Sequence, residues 1–243
     1  MPADGRCRLS RIAPREKDMR HDIYGPIHKG LRLSGARMLI LLGSTDWRDR
    51  TASADTLAAL RLHLSLGREH LAHEEAEFHP ALRLCDDGLA DTLDHDHGDH
   101  GVSFGELEAM IAAVETADLP DTRSAAGHAL YLRFSAFFAD DLAHMAREEL
   151  VAQPMLHARY DDAALMAMEG RVVGSIPPER MLAYNHIMLP GMNPAERAGF
   201  LSFLRQAAPP EAFVHLRDVV ARDCLDPASH AQLLAELEVP VAA

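Results

Sequence analysis

The chain has 243 residues, 48% of them hydrophobic, which supplies an ordinary buried core without disulfide staples. A net charge of -13 argues against nucleic acid or an anionic membrane surface as the main partner, because neither phosphates nor acidic headgroups attract such a surface. Cys7, Cys85 and Cys224 are far apart and form no Cys-x-x-Cys pair, which argues against a thiolate zinc site and fits a reducing, cytoplasmic setting.

Residues 1–21 read as a mobile basic tail, with Arg6, Arg8, Arg11, Arg15, Lys17 and Arg20 against Asp4, Glu16 and Asp18. No signal-peptide core is visible there, and the longest aliphatic run, Met38 to Leu42, is too short to cross a bilayer. A first helix is expected from Ile23 to Leu42, with Pro26 in its first turn, Gly43 after it, and His28 on a stripe with Leu31, Gly35, Met38 and Leu42. Ser53 is expected to open a second helix with the inner stripe Leu57, Leu60, His63, Gly67, His70, Glu74 and Ala81, kinked by Pro80 and ended at Asp86-Asp87-Gly88.

A third helix is expected from Leu89 to Ala117, with Leu93, His97, His100, Phe104, Leu107, Ile111 and Val114 on one face. After Leu119-Pro120-Asp121 a fourth follows, with the stripe Leu130, Phe134, Phe137, Asp141, His144, Glu148, Val151 and Met155. Beyond Arg159, cap-and-proline signals at Asp161-Asp162, Pro177-Pro178, Asn193-Pro194, Pro209-Pro210 and Asp226-Pro227 announce about five short helices. No segment alternates as a half-buried strand does, so the class is all-α: an antiparallel up-down four-helix bundle over 22–158 and a helical extension over 159–243.

One stretch occurs twice. His-Leu-Ala-His-Glu-Glu-Ala-Glu-Phe-His-Pro-Ala-Leu from His70 and His-Met-Ala-Arg-Glu-Glu-Leu-Val-Ala-Gln-Pro-Met-Leu from His144 share His, Ala, Glu-Glu, Pro and Leu at the same offsets. A histidine four residues before a glutamate puts both side chains one turn apart on one helix face, where two donors reach one metal ion. Each copy has an upstream histidine: His28 lies 42 residues before His70, and His100 lies 44 before His144. Across four helices the donors His28, His70, Glu74, His100 or His97, His144 and Glu148 converge on one axis, a nitrogen and oxygen set without thiolate that suits iron or manganese. Fifteen histidines, seven of them from His63 to His100, agree with metal chemistry.

This pattern resembles the hemerythrin-like, or HHE cation-binding, domain family, with one His on the first helix, His-x-x-x-Glu on the second, one His on the third and His-x-x-x-Glu on the fourth. The resemblance covers 22–158 and includes Pro80 and Pro154, ten residues after each motif histidine. It implies a non-haem di-iron centre of two iron ions, held by the donors above, that binds oxygen, nitric oxide or a related small molecule. For the third helix, both His97 and His100 share the inner stripe, and the spacing to His144 favours His100. Neutral imidazoles favour high-valent oxidation less than a carboxylate-rich site does, so reversible binding or sensing is expected rather than substrate oxidation. A di-iron oxidase or peroxidase-like enzyme and a metal-free helical interaction module are the alternatives.

Around the site, His63 is expected inside the bundle as a pocket residue, and Asp141 as an acceptor for an imidazole N–H. Gly67 leaves room for a diatomic ligand or for close helix packing. His73, His79, His95, His128, His157, His186, His215 and His230 are expected at the surface or in loops.

Overall fold

The computed structural model describes residues 20–238. Every regular element among them is helical, and no helix is long and apolar enough to cross a membrane. The basic tail and Cys7 lie outside the described residues up to 19, whereas Arg20 and His21 are placed: Arg20 reaches Asp162, and His21 pairs with Glu169.

Helix α1, Gly25–Ser44, begins where the Asp22 carboxylate accepts the Tyr24 and Gly25 N–H groups, with Pro26 in its first turn. Helix α2, Arg50–Glu77, starts three residues before the expected Ser53, because the Asp49 carboxylate accepts from Thr51 and Ala52. Ser53 instead bonds its hydroxyl back to the Asp49 carbonyl. Pro80 does more than kink α2. The helix ends at Glu77, and Pro80 sits in the first turn of a separate short helix α3, His79–Arg83. Asp86 then caps α4, Asp87–Thr116, so Gly88 belongs to its first turn rather than to a terminating loop.

Helix α5, Pro120–Arg147, runs through a π-helical turn, Glu148–Ala152, into α6, Gln153–Arg159, whose first turn holds Pro154. A proline at 154 cannot donate to the carbonyl four residues back, and the widened turn absorbs that loss without breaking the helix. The equivalent prolines thus place a backbone irregularity just beyond Glu74 and just beyond Glu148.

The later cap signals each begin a helix: α7 Asp162–Ser175, α8 Pro178–Gly191, α9 Pro194–Ala207, α10 Pro210–His215 and, after a π-helical turn at Leu216–Val220 and α11 Ala221–Cys224, α12 Pro227–Glu238. Asn193 and Glu196 form a reciprocal capping box.

The four long helices pack in a ring: α1 against α2 and α5, and α4 against α2 and α5. Two apolar clusters fill the space between them. One gathers Met38, Leu42, Leu60, Leu64, Leu107, Ile111, Leu130 and Phe134; the other gathers Ile23, Tyr24, Phe78, Leu82, Leu93 and Leu156. Along each of the four helices the histidines and glutamates of the repeat fall between these clusters, so they form a polar layer sealed above and below by apolar side chains. A third cluster, with Leu189, Leu201, Phe213, Val220 and Leu233, holds α8 to α12 together.

Helix α8 rests on α1 by backbone contact. A Cβ added at Gly191 would meet the Lys29 carbonyl oxygen at 2.7 Å, and one at Gly30 would meet the Met188 nitrogen at 3.0 Å. Neither neighbour can rotate away. Gly191→Ala should therefore destabilise the protein by about 1–3 kcal/mol, read as a lower denaturant midpoint; an unchanged midpoint would refute this close approach.

Candidate metal centre

Six repeat residues come together in the sealed layer. His28, His70, Glu74, His97, His144 and Glu148 are all buried, His28, Glu74 and Glu148 completely. The Glu74 carboxylate divides its oxygens: Oε1 lies 3.1 Å from His70 Nε2 and 3.5 Å from His28 Nε2, and Oε2 lies 3.6 Å from His97 Nε2. Glu148 Oε2 lies 3.3 Å from His28 Nε2 and 3.4 Å from His144 Nε2. The His97 and His144 Nε2 atoms face each other at 3.1 Å.

Two overlapping groups could each hold a metal ion, one of Glu74, His97, His144 and Glu148 and the other of His28, His70 and Glu74, with the donor atoms of each within 4.8 Å of one another. Both carboxylates reach imidazoles on two or more helices. Leaving a buried polar group unsatisfied costs about 1–3 kcal/mol, and here both oxygens of Glu74, both of Glu148, and Nε2 of His28 and of His70 lack hydrogen-bond partners. Such a concentration of unsatisfied donor atoms in one layer fits a cation between them.

The third-helix choice resolves toward His97. His100, which the spacing favours, is also buried, but it belongs to neither group; its ring stands edge-on to His144 at 5.0 Å and to Phe137 at 5.7 Å. The three-residue offset turns His97 toward Glu74 and leaves His100 one turn along, beside the aromatic cluster.

The residues that orient the imidazoles are not the one expected. Asp141 makes no hydrogen bond to a histidine among the described residues. Instead, the second glutamate of each Glu-Glu pair reaches across to a neighbouring helix: Glu75 accepts from His97 Nδ1 at 3.1 Å, and Glu149 from His28 Nδ1 at 3.0 Å. Asp96 stands 3.4 Å from His144 Nδ1. Arg32 holds Glu149, and Arg147 holds Asp96. A carboxylate at Nδ1 keeps the proton there and turns the Nε2 lone pair inward. The signal was in the sequence, as the repeated Glu-Glu.

His79, expected at the surface, is buried; its Nδ1 lies 2.5 Å from Asp94 and its ring 4.5 Å from that of His97. The break after α2 turns it inward. His63 is buried as expected, with Nδ1 2.9 Å from the Ser34 hydroxyl. Beside it a cavity of about 10 Å³, lined by Leu31, His63, Gly67, His70, Leu71, Phe104, Phe137 and Asp141, opens against the ligand-side histidine His70. That is roughly the space of one water-sized molecule.

The electrostatics follow from burying like charges together. Burial pushes Glu74 well above the usual carboxylate range and the neighbouring Glu148 adds to it. Burial by itself would raise Glu148, but it is held down to about 2, because His28 at 3.3 Å and the nearby His144 and His70 outweigh that burial. Burial alone would depress His28, yet Glu148, Glu149 and Glu74 together hold it well above its ordinary value. Four imidazoles, His63, His70, His97 and His100, go the opposite way. Burial lowers His63 to about 4, His97 to about 3 with help from His144, and His100 to about 4, and it takes His70 well below the ordinary value. No matching protein family, no similar curated protein and no similar solved structure was found for this chain.

A histidine whose folded pKa is depressed binds its proton only in the unfolded chain, so between pH 6.5 and about 4 each one withdraws stability as the pH falls. His28, raised rather than lowered, is protonated in both states across that range and does not compensate, whereas the raised carboxyls of Glu74 and Asp141 take up protons first in the folded chain and offset part of the loss. Four depressed histidines, His63, His70, His97 and His100, outnumber those two carboxyls, so chelator-treated protein should on balance lose stability below pH 6.5, by about 1.4 kcal/mol per pH unit for each histidine left without an offset. Thermal melts at pH 7, 6 and 5 check this; equal midpoints would contradict the burial of these imidazoles as neutral groups.

Proposed function

We propose that this chain is a hemerythrin-like, cytoplasmic, non-haem di-iron protein in which α1, α2, α4 and α5 form an antiparallel up-down four-helix bundle. Its function on this reading is to bind or sense oxygen, nitric oxide or a related small molecule. The observation that carries the proposal is the pair of fully buried glutamates, Glu74 and Glu148, each facing imidazoles from more than one helix with both oxygens unpartnered. Two carboxylates that each face both donor groups suit a pair of ions better than one, and imidazole and carboxylate without thiolate suit iron.

His28, His70, His97, His144, Glu74 and Glu148 would hold the two ions. Iron so bound supplies a redox-active centre with affinity for dioxygen and nitric oxide. The chain supplies the rest. Glu75, Glu149 and Asp96 fix the imidazole rings. Leu31, Leu71, Phe104 and Phe137 keep the small cavity beside His70 apolar, and Gly67, with only Phe104 near its missing Cβ at 3.4 Å, leaves it room. At about 10 Å³ the cavity is at the lower limit for one water-sized molecule, which agrees with a very small ligand better than with a large one.

His70→Ala and Glu148→Ala should each lose most of the iron that the wild-type chain retains, measured by elemental analysis with the near-ultraviolet spectrum. Glu149→Ala keeps all six donors and should weaken metal affinity 10- to 100-fold. Full iron retention in His70→Ala would sink the assignment, and a protein that takes up no iron even after anaerobic loading with ferrous ion would leave a helical interaction module.

One observation favours an enzymatic reading of the same site. Asp141 lines the cavity, and burial pushes its carboxyl up to about 7, so a proton is available where a small ligand would sit. Sensing and peroxidase-like turnover then separate in one assay: the iron-loaded protein given a hydroperoxide and a reductant should show no multiple turnover if binding is the function, and sustained consumption would assign it to the oxidase or peroxidase class.

A further inference from the structure

The two donor groups are unequal. Glu74, His97, His144 and Glu148 make four residues on one side, and His28, His70 and Glu74 make three on the other. The side with fewer donors has a neighbour that the other lacks. Tyr24, four residues before His28, lies with its ring stacked on the His28 imidazole, centroids 5.1 Å apart and planes 21° from parallel. The position four residues before His97 is Leu93, an apolar member of the cluster beneath the polar layer.

Tyr24 is completely buried and its hydroxyl has no hydrogen-bond partner. Phe78 meets its ring edge-on at 5.6 Å, so the phenol is clamped between two rings and cannot swing to solvent. A core that wanted only the ring would hold phenylalanine, because a buried hydroxyl without a partner costs about 1–3 kcal/mol. The imidazole on which the ring is stacked carries its Nε2 3.5 Å from Glu74 and 3.3 Å from Glu148, so the buried phenol lies against the His28 side of the layer.

Resting on the di-iron reading above, we propose that Tyr24 is a metal ligand, its phenolate oxygen completing the donor set on the His28 and His70 side when that side holds ferric iron. A bound cation favours the ionised form of any acid that coordinates it. On binding, the O–H bond breaks, an oxygen-to-iron bond forms and the proton passes to bulk water, with no change of oxidation state. A phenolate is a hard anionic donor that stabilises ferric over ferrous iron, so the two ions would differ in how readily they are reduced.

The test uses the full chain, loaded anaerobically with ferrous ion and then oxidised in air, with iron per chain measured alongside the visible and resonance Raman spectra. Wild-type protein should show a broad visible charge-transfer band whose resonance Raman spectrum contains tyrosinate ring modes. Tyr24→Phe should retain the iron and lose both the band and the modes. Iron uptake by the wild type without tyrosinate modes, or their persistence in Tyr24→Phe, overturns the assignment while leaving the di-iron reading intact. Failure of the wild type to take up iron overturns both.

Discussion

Two carboxylates buried away from solvent, one in the last turn of α2 and one in the π-helical turn that follows α5, set the terms for everything around them. A single unpaired charge in such a place is costly, and two facing each other cost more. The surroundings bias each group differently: burial and Glu148 push the Glu74 carboxyl up, the neighbouring imidazoles hold Glu148 down, and the carboxylates around His28 hold it above its ordinary value. His28 is thereby favoured as the internal counter-ion. Burial and the neighbouring imidazoles push His70 and His97 down, which favours their neutral forms. A neutral ring keeps a lone pair free, the condition a metal ligand must meet before any ion arrives.

The duplicated motif works through both of its glutamates. The first points into the layer from its own helix, and the second crosses to a histidine on an adjacent one, Glu75 to His97 on α4 and Glu149 to His28 on α1. Each copy therefore offers donors from one helix and steadies a histidine on another. Neither copy is complete without the other, which is a reason for both to survive in one chain. The symmetry is not perfect: the proline after Glu74 separates α2 from α3, while the one after Glu148 is accommodated by a π-helical turn in an unbroken rod.

Much of this was legible before any coordinates. Helical periodicity located the inward faces of α1, α2, α4 and α5, and the His-x-x-x-Glu spacing singled out His70, Glu74, His144 and Glu148, because side-chain direction on a helix follows directly from sequence offset. What offset alone cannot supply is phase to better than a residue, and His97 and His100, three apart, differ by just that; their separation from His144 pointed to His100, while the packing of α4 turns His97 to the carboxylates. Contacts between helices were harder still. His79 is buried because α2 breaks where a kink was expected, and Glu75 and Glu149 matter because of what lies across the groove. Tyr24 stands four residues before His28, an offset that brings the two rings together, but a lone aromatic at that spacing reads from sequence as ordinary core.

The contact between Gly30 and Gly191 has a mechanical meaning. Side chains at a helix interface absorb small displacements by changing rotamer, much as a soft gasket does, whereas two backbones in direct contact have no such freedom. Gly30 lies only two residues from His28, on the helix that Tyr24 immediately precedes. Any slide or roll of α1 that accompanies a change at His28 is handed to α8 with little loss, and through α8 to the cluster that binds α9 to α12. The C-terminal helices are geared to the centre rather than merely attached to it.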